Sequence, residues 1–246
     1  MASTREKEPG LISPNALRKS IGWTGILLPA FLIVGNWIFS ECDIIASSIS
    51  HYYYTRTGPW LVGALFAVGM FLVSYKGYGK DYIASGIAGI AAVFIAMFPT
   101  NAETMVPAES NLVDVCKLFE LKEHKLRNAI HYGSAAVFFL TLAYMSIFLF
   151  TKYDKVDGKT REKKIRNGIF RTCGIIILVA VVLIGLYGLL RDEMRGLARY
   201  KPVFWLEWVA LFAFGISWLV KGEIMLRDYS IYKNQPRRGG SSNSNK

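Results

Sequence analysis

The sequence predicts an all-α fold: a polytopic membrane protein built as a bundle of six transmembrane helices, with both termini on the cytoplasmic side. Three observations predict it. Apolar residues come in long blocks almost free of charge, such as 21–39, where a soluble domain would interrupt them at periods of 2 or 3.6. A helix of about 20 apolar residues spans a bilayer core, and lipid offers the backbone no partners, so such blocks read as helices. Lys and Arg gather between the blocks and after the last one, as orientation signals do.

The blocks are 21–39, 59–75, 82–98, 131–151, 169–190 and 204–220. The second and third are short and joined by the tight Lys76-Gly77-Tyr78-Gly79-Lys80-Asp81 turn, which predicts an antiparallel hairpin. With the N-terminus inside, the cytoplasmic segments carry 20 of the 29 Lys and Arg, eight of them between Lys152 and Arg171. The outer segments carry nine, so the bias predicts N-in and C-in. The chain divides into a cytoplasmic segment 1–20, a transmembrane domain 21–225 and a cytoplasmic tail 226–246. From Gln235 that tail turns to Pro, Arg, Gly and Ser, a composition that predicts disorder. The first block begins about 20 residues in and is too long for the core of a cleavable signal peptide.

Two outer connections read as more than links. Residues 40–58 hold Tyr52-Tyr53-Tyr54, suited to the interfacial belt. Over 111–128, Leu112, Val115, Cys116 and Phe119 fall at helical spacing, predicting a short amphipathic surface helix before the fourth span. Small residues (Ala84, Ser85, Ala88, Gly89 and Ala92, then Gly133 to Ala136, then Gly185 and Gly188) mark close helix packing. Of three cysteines, Cys42 and Cys116 fall on the outer side, where disulfides persist, and form a candidate bridge. Cys173 reads as inert.

The net charge of +11 raises nucleic acid as a partner, but the cations form no continuous face with stacking aromatics, so none is expected. Neither HExxH nor Cys/His ligand spacing occurs, and no metal or cofactor is expected. The candidate chemistry lies among polar residues at the outer ends of the blocks. Glu207, among Phe204, Trp205, Leu206 and Trp208, sits one turn into an apolar helix, where an acid faces the bundle interior or a wet cavity with a partner. His131 opens the fourth block, and His51 follows the first; with Glu207 they form the candidate catalytic set, as acid/base groups. Ser50, Tyr53, Thr100 and Arg191 are candidate ligand-binding residues, Arg191 as a headgroup anchor. Ser48 or Ser50 could be a nucleophile, although no GxSxG context surrounds either.

The stretches Ser50-His51-Tyr52-Tyr53, Phe98-Pro99-Thr100, His131-x-x-x-Ala135 and Trp205-Leu206-Glu207 resemble a family of bacterial six-helix membrane proteins of unknown function. They are more loosely similar to the eukaryotic Frag/DRAM/Sfk membrane group. The resemblance spans roughly residues 20–225. It implies a compact bundle with a polar site on its outer face, in a plasma or inner membrane. Some members of the eukaryotic group act in remodelling or trafficking of lipids. In the bacterial family an Asp closely follows Phe-Pro-Thr; here Asn101-Ala102-Glu103 follows, and no acidic role is carried over. The leading expectation is a protein that binds or modifies a lipid or lipid-linked molecule. The alternative is a non-catalytic subunit or scaffold that recruits a protein partner or a second copy. A transporter or channel is disfavoured by the single membrane-embedded acid and the lack of internal repeats. A lipid site predicts a cavity lined by His131 and Glu207.

Overall fold

The computed structural model describes residues 13–40, 44–75, 81–101, 117–119, 121–152 and 161–223. Within them the secondary structure is helical, without strands. The long helices are α1 (Pro14–Ser40), α2 (Gly58–Ser74), α3 (Asp81–Met97), α4 (Lys125–Tyr144), α5 (Arg161–Leu189) and α6 (Pro202–Lys221). A π-helical segment, Met145–Leu149, prolongs α4. Two 3-10 helices lie in connections: Ile49–Tyr54 before α2 and Arg195–Tyr200 before α6. Helices α1, α4 with its π extension, α5 and α6 are long and apolar enough to cross a membrane; α2 and α3 are apolar but only 17 residues each. This is the architecture of a polytopic helical membrane protein.

Several helices extend beyond their apolar blocks. Helix α4 starts at Lys125, capped by the His124 side chain, which accepts from Arg127 N–H at 3.3 Å. Helix α5 starts at Arg161, with the apolar part following. Hydropathy marks what can lie in lipid, whereas helix ends are set by caps and hydrogen bonds, so the polar first turns escape it.

Each helix packs against its sequence neighbours, and α6 returns to α1, which closes a ring. Two seams are tight because glycines let backbones approach. A Cβ on Gly89 would lie 2.6 Å from the Gly69 carbonyl oxygen, and one on Gly215 would lie 2.6 Å from that of Gly22. Gly89 and Ala92 meet Gly69 across the α2–α3 seam, and Ser85 and Ala88 are also buried. Gly133, Gly185 and Gly188 do not mark packing seams, contrary to expectation: a Cβ on any of them meets nothing within 4 Å. Helices α4 and α5 meet elsewhere, where Ser146 Oγ donates to the Phe170 carbonyl at 2.7 Å and Gly174 lies against Ile147. Beyond Ala180, α5 has no fully buried residue.

Two further expectations are corrected. The tyrosine run is not an interfacial belt: Tyr52 and Tyr54 are fully buried, in a core of Leu32, Ile33, Ala46, Ile49, Leu61 and Phe204. Their rings can leave lipid because their hydroxyls are served inside, Tyr54 donating to the Thr100 carbonyl and Tyr52 accepting from Ala46 N–H at 3.5 Å. The surface helix expected over 111–128 does not form in its described part: residues 117–119 and 121–124 are non-helical, and Lys125 already belongs to α4. Leu118 N–H goes instead to the Tyr54 carbonyl at 2.9 Å, and the Phe119 ring packs on Tyr53 and Tyr54. Cys42 and Cys116 lie outside the described residues; Cys173 is buried.

Candidate functional site

The segment between α1 and α2 folds inward at one end of the ring and brings its polar groups with it. Its 3-10 helix is capped by Ser48, whose extended backbone lets Oγ accept from Ser50 N–H at 3.1 Å. Glu207 of α6 approaches the same terminus. Its Oε2 accepts from Ile49 N–H at 2.6 Å, and the Ser48 side chain also bonds to it. A carboxylate suits this position because the first amides of a helix have no partner inside it. The segment is further pinned by Phe204 N–H to the Ser47 carbonyl at 3.1 Å and by Lys201 Nζ to the Ile45 carbonyl. Lys201 itself adopts a left-handed backbone, φ 53°, at the turn into α6. Gly58 starts α2 where only glycine fits, since a Cβ would stand 2.3 Å from the Tyr53 carbonyl oxygen.

The two histidines occupy different positions. His131, buried on α4, sets Nδ1 2.9 Å from the Phe98 carbonyl oxygen and Nε2 3.1 Å from Ser50 Oγ. A carbonyl can only accept, so the neutral ring carries its proton on Nδ1, and Nε2 is left to accept from the Ser50 hydroxyl. His51, also buried, sets Nδ1 2.9 Å from Ser47 Oγ and Nε2 3.3 Å from Thr100 Oγ1. Burial first, then the nearby His131, pushes its pKa down to about 3, and Arg191 and Lys117 act in the same direction. His51 is therefore neutral near pH 7. Burial also pushes the Tyr52 phenol up to about 12 and lowers the Lys201 ammonium.

Sequence reasoning brought His51, His131, Ser50 and Thr100 to the same end, and the structure joins them: His131 to Ser50, His51 to Thr100. Glu207 meets the same segment from the other flank, through Ile49 and Ser48. Arg191 is exposed in the turn after α5 and acts on His51 through charge. Several contributors were not anticipated. Arg127 donates to the Pro99 carbonyl at 3.1 Å, to Asn101 Oδ1 at 3.2 Å and to the Lys122 carbonyl at 2.9 Å. Asn128 Oδ1 accepts from Asn101 N–H at 3.2 Å. The clues in the sequence are Asn101, shortly after the third block, and the polar run Arg127-Asn128 just before the fourth.

A cavity of ≈ 10 Å³ opens where Ser50 meets His131, room for about one water. Tyr53 joins them at its edge, and α2 and α3 supply apolar walls, among them Leu61, Leu65 and Ile95. Glu207 does not line it, contrary to the expectation for a lipid site. Chemically, hydroxyl, imidazole and carbonyl form a chain in which a base oriented by a third group faces a potential nucleophile. No family model, curated protein or solved structure matches this chain.

Proposed function

We propose that the chain is a six-span membrane protein, N-in and C-in, that binds a lipid or lipid-linked molecule at its outer end and attacks an ester of it through Ser50. The observation that carries the reading is the Ser50–His131–Phe98 carbonyl alignment. His131 Nε2 takes the Ser50 proton as Oγ bonds to the ester carbonyl carbon, the C–O bond breaks and the departing alcohol takes that proton. Water, deprotonated by His131, then cleaves the acyl-Ser50 ester, releasing the acid and restoring the Ser50 hydroxyl. His51 and Glu207 hold the 3-10 helix that presents Ser50. The bias of Lys and Arg supports the orientation, and the resemblance to the Frag/DRAM/Sfk group supports a lipid as ligand.

A fluorophosphonate probe applied to membranes containing the protein tests it. The parent becomes labelled, Ser50→Ala does not, and His131→Ala slows labelling by about a hundredfold. A parent that stays unlabelled, or labelling unchanged in Ser50→Ala, overturns the esterase reading. A second reading, a non-catalytic subunit, is favoured by α5 beyond Ala180, where Val182, Leu183, Leu186 and Leu189 are exposed. It expects the purified protein to have the mass of a dimer or larger assembly, reduced to the monomer by Leu186→Ser; a monomeric parent removes it.

A further inference from the structure

At the other end of the bundle a cavity of ≈ 430 Å³ opens sideways between α3 and α4. Asp81, Ile83 and Ile87 line it from α3, Leu140 and Tyr144 from α4, and Lys152 lies just past the π segment. That segment, Met145–Leu149, borders the groove through Leu149; π insertions interrupt a helix face and recur at functional sites. Ile83, Ile87, Leu140 and Tyr144 are all exposed, whereas Leu149 is buried. At the polar end, Lys152 Nζ donates to Asp81 Oδ1 at 2.7 Å, with Asp81 buried and Lys152 half exposed. An ammonium has three donors, so the contact with Asp81 leaves capacity for a second acceptor at the mouth.

Charge selects the occupant. The first turns of α5 bring Arg161, Lys163, Lys164 and Arg166 to this end, and Arg18 and Lys221 meet there across α1 and α6. A groove set in the flank of membrane-crossing helices is filled from the bilayer, and this excess of cations favours a negative headgroup. We propose that the groove seats one anionic glycerophospholipid, its phosphate on Lys152 and an acyl chain along Ile83, Ile87, Leu140 and Tyr144. The site is separate from Ser50 and His131 and does not depend on the reading given to them.

The full-length protein in detergent is titrated with dioleoylphosphatidylglycerol and, separately, dioleoylphosphatidylcholine, and bound lipids are counted by native mass spectrometry. The first lipid bound is the anionic one by about fivefold. In the double variant Asp81→Asn/Lys152→Gln, which removes the buried carboxylate together with its partner, the preference falls to about one. Ile87→Trp, a change at an exposed position, fills the groove and lowers the number of bound lipids of either kind by one. An unchanged preference in the double variant, or unchanged lipid stoichiometry in Ile87→Trp, overturns the proposal. A dimeric parent that Ile87→Trp converts to monomer with lipid retained assigns the groove to a second copy, and overturns it too.

Discussion

The two ends of the bundle use their charged side chains in opposite ways. At the Ser50 end, charges are committed to the backbone: Glu207 to an amide, and Arg127 and Lys201 to the Pro99 and Ile45 carbonyls. At the Asp81 end, they are committed to one another and to rings: Lys152 to Asp81, Arg18 over Tyr75 at 5.6 Å and Lys221 over Phe150 at 5.3 Å. The difference follows from what lies between the helices. An inward-folded connection exposes amides and carbonyls that no regular helix satisfies, and these must be met by side chains. Where helices pack along their length, most of the backbone is satisfied within them, and cations can take aromatic faces at Tyr75 and Phe150. One end is held by directional bonds among mostly neutral partners, the other by charge.

That contrast can be broken at either end, and thermal unfolding in detergent ranks the effects. His131→Leu is expected to cost the most, about 3 kcal/mol, because it strands the Phe98 carbonyl and the Ser50 hydroxyl in a buried site. A cost below about 1 kcal/mol would mean the network is slack. Acid comes next. His51 is held below its ordinary 6.5, so between pH 6.5 and about 3 the unfolded chain binds a proton that the folded chain declines, and stability falls as pH falls. By pH 5 the loss is about 2 kcal/mol, and His51→Gln flattens that slope. A parent curve that is flat between pH 7 and 5 would refute it. Lys152→Gln costs about 1–2 kcal/mol, less than for a fully buried pair because Lys152 is half exposed. Raising salt to 1 M should shift the parent toward this variant while leaving the cost of His131→Leu unchanged. Smallest is Arg195→Ala, whose pairing with Asp192 at 2.9 Å lies on the surface; a change within about 0.5 kcal/mol sharpens the comparison by isolating exposed charge from the rest.

The sequence made the helices legible because their driving force is local: an apolar block must satisfy its own amides, and hydropathy reads that directly. It also brought His51, His131, Thr100 and Glu207 to one end, since each lies within, or close to, the connections on one side of the blocks. It could not show that Ser50 and not Ser48 meets His131, because that choice depends on how a 3-10 helix turns against α4, 81 residues away in sequence. The tyrosine run was misread for a related reason. Tyr52 and Tyr54 carry the composition of an interfacial belt, and their burial is made tolerable by the Ala46 N–H for one and a distant carbonyl on Thr100 for the other. Glycines posed the same difficulty: Gly89 and Gly185 look alike in a string, yet one touches a backbone and the other open space.

The return of α6 onto α1 orders the protein's assembly. Synthesis delivers α1 well before α6, so Gly22 and Gly25 present a face that fits Gly215, Phe214 and Leu219 before these exist. Until then the opening helix can hold α2 but not its tightest neighbour. A ribosome halted before residue 202 would therefore leave the Gly22–Gly25 face of α1 unzipped.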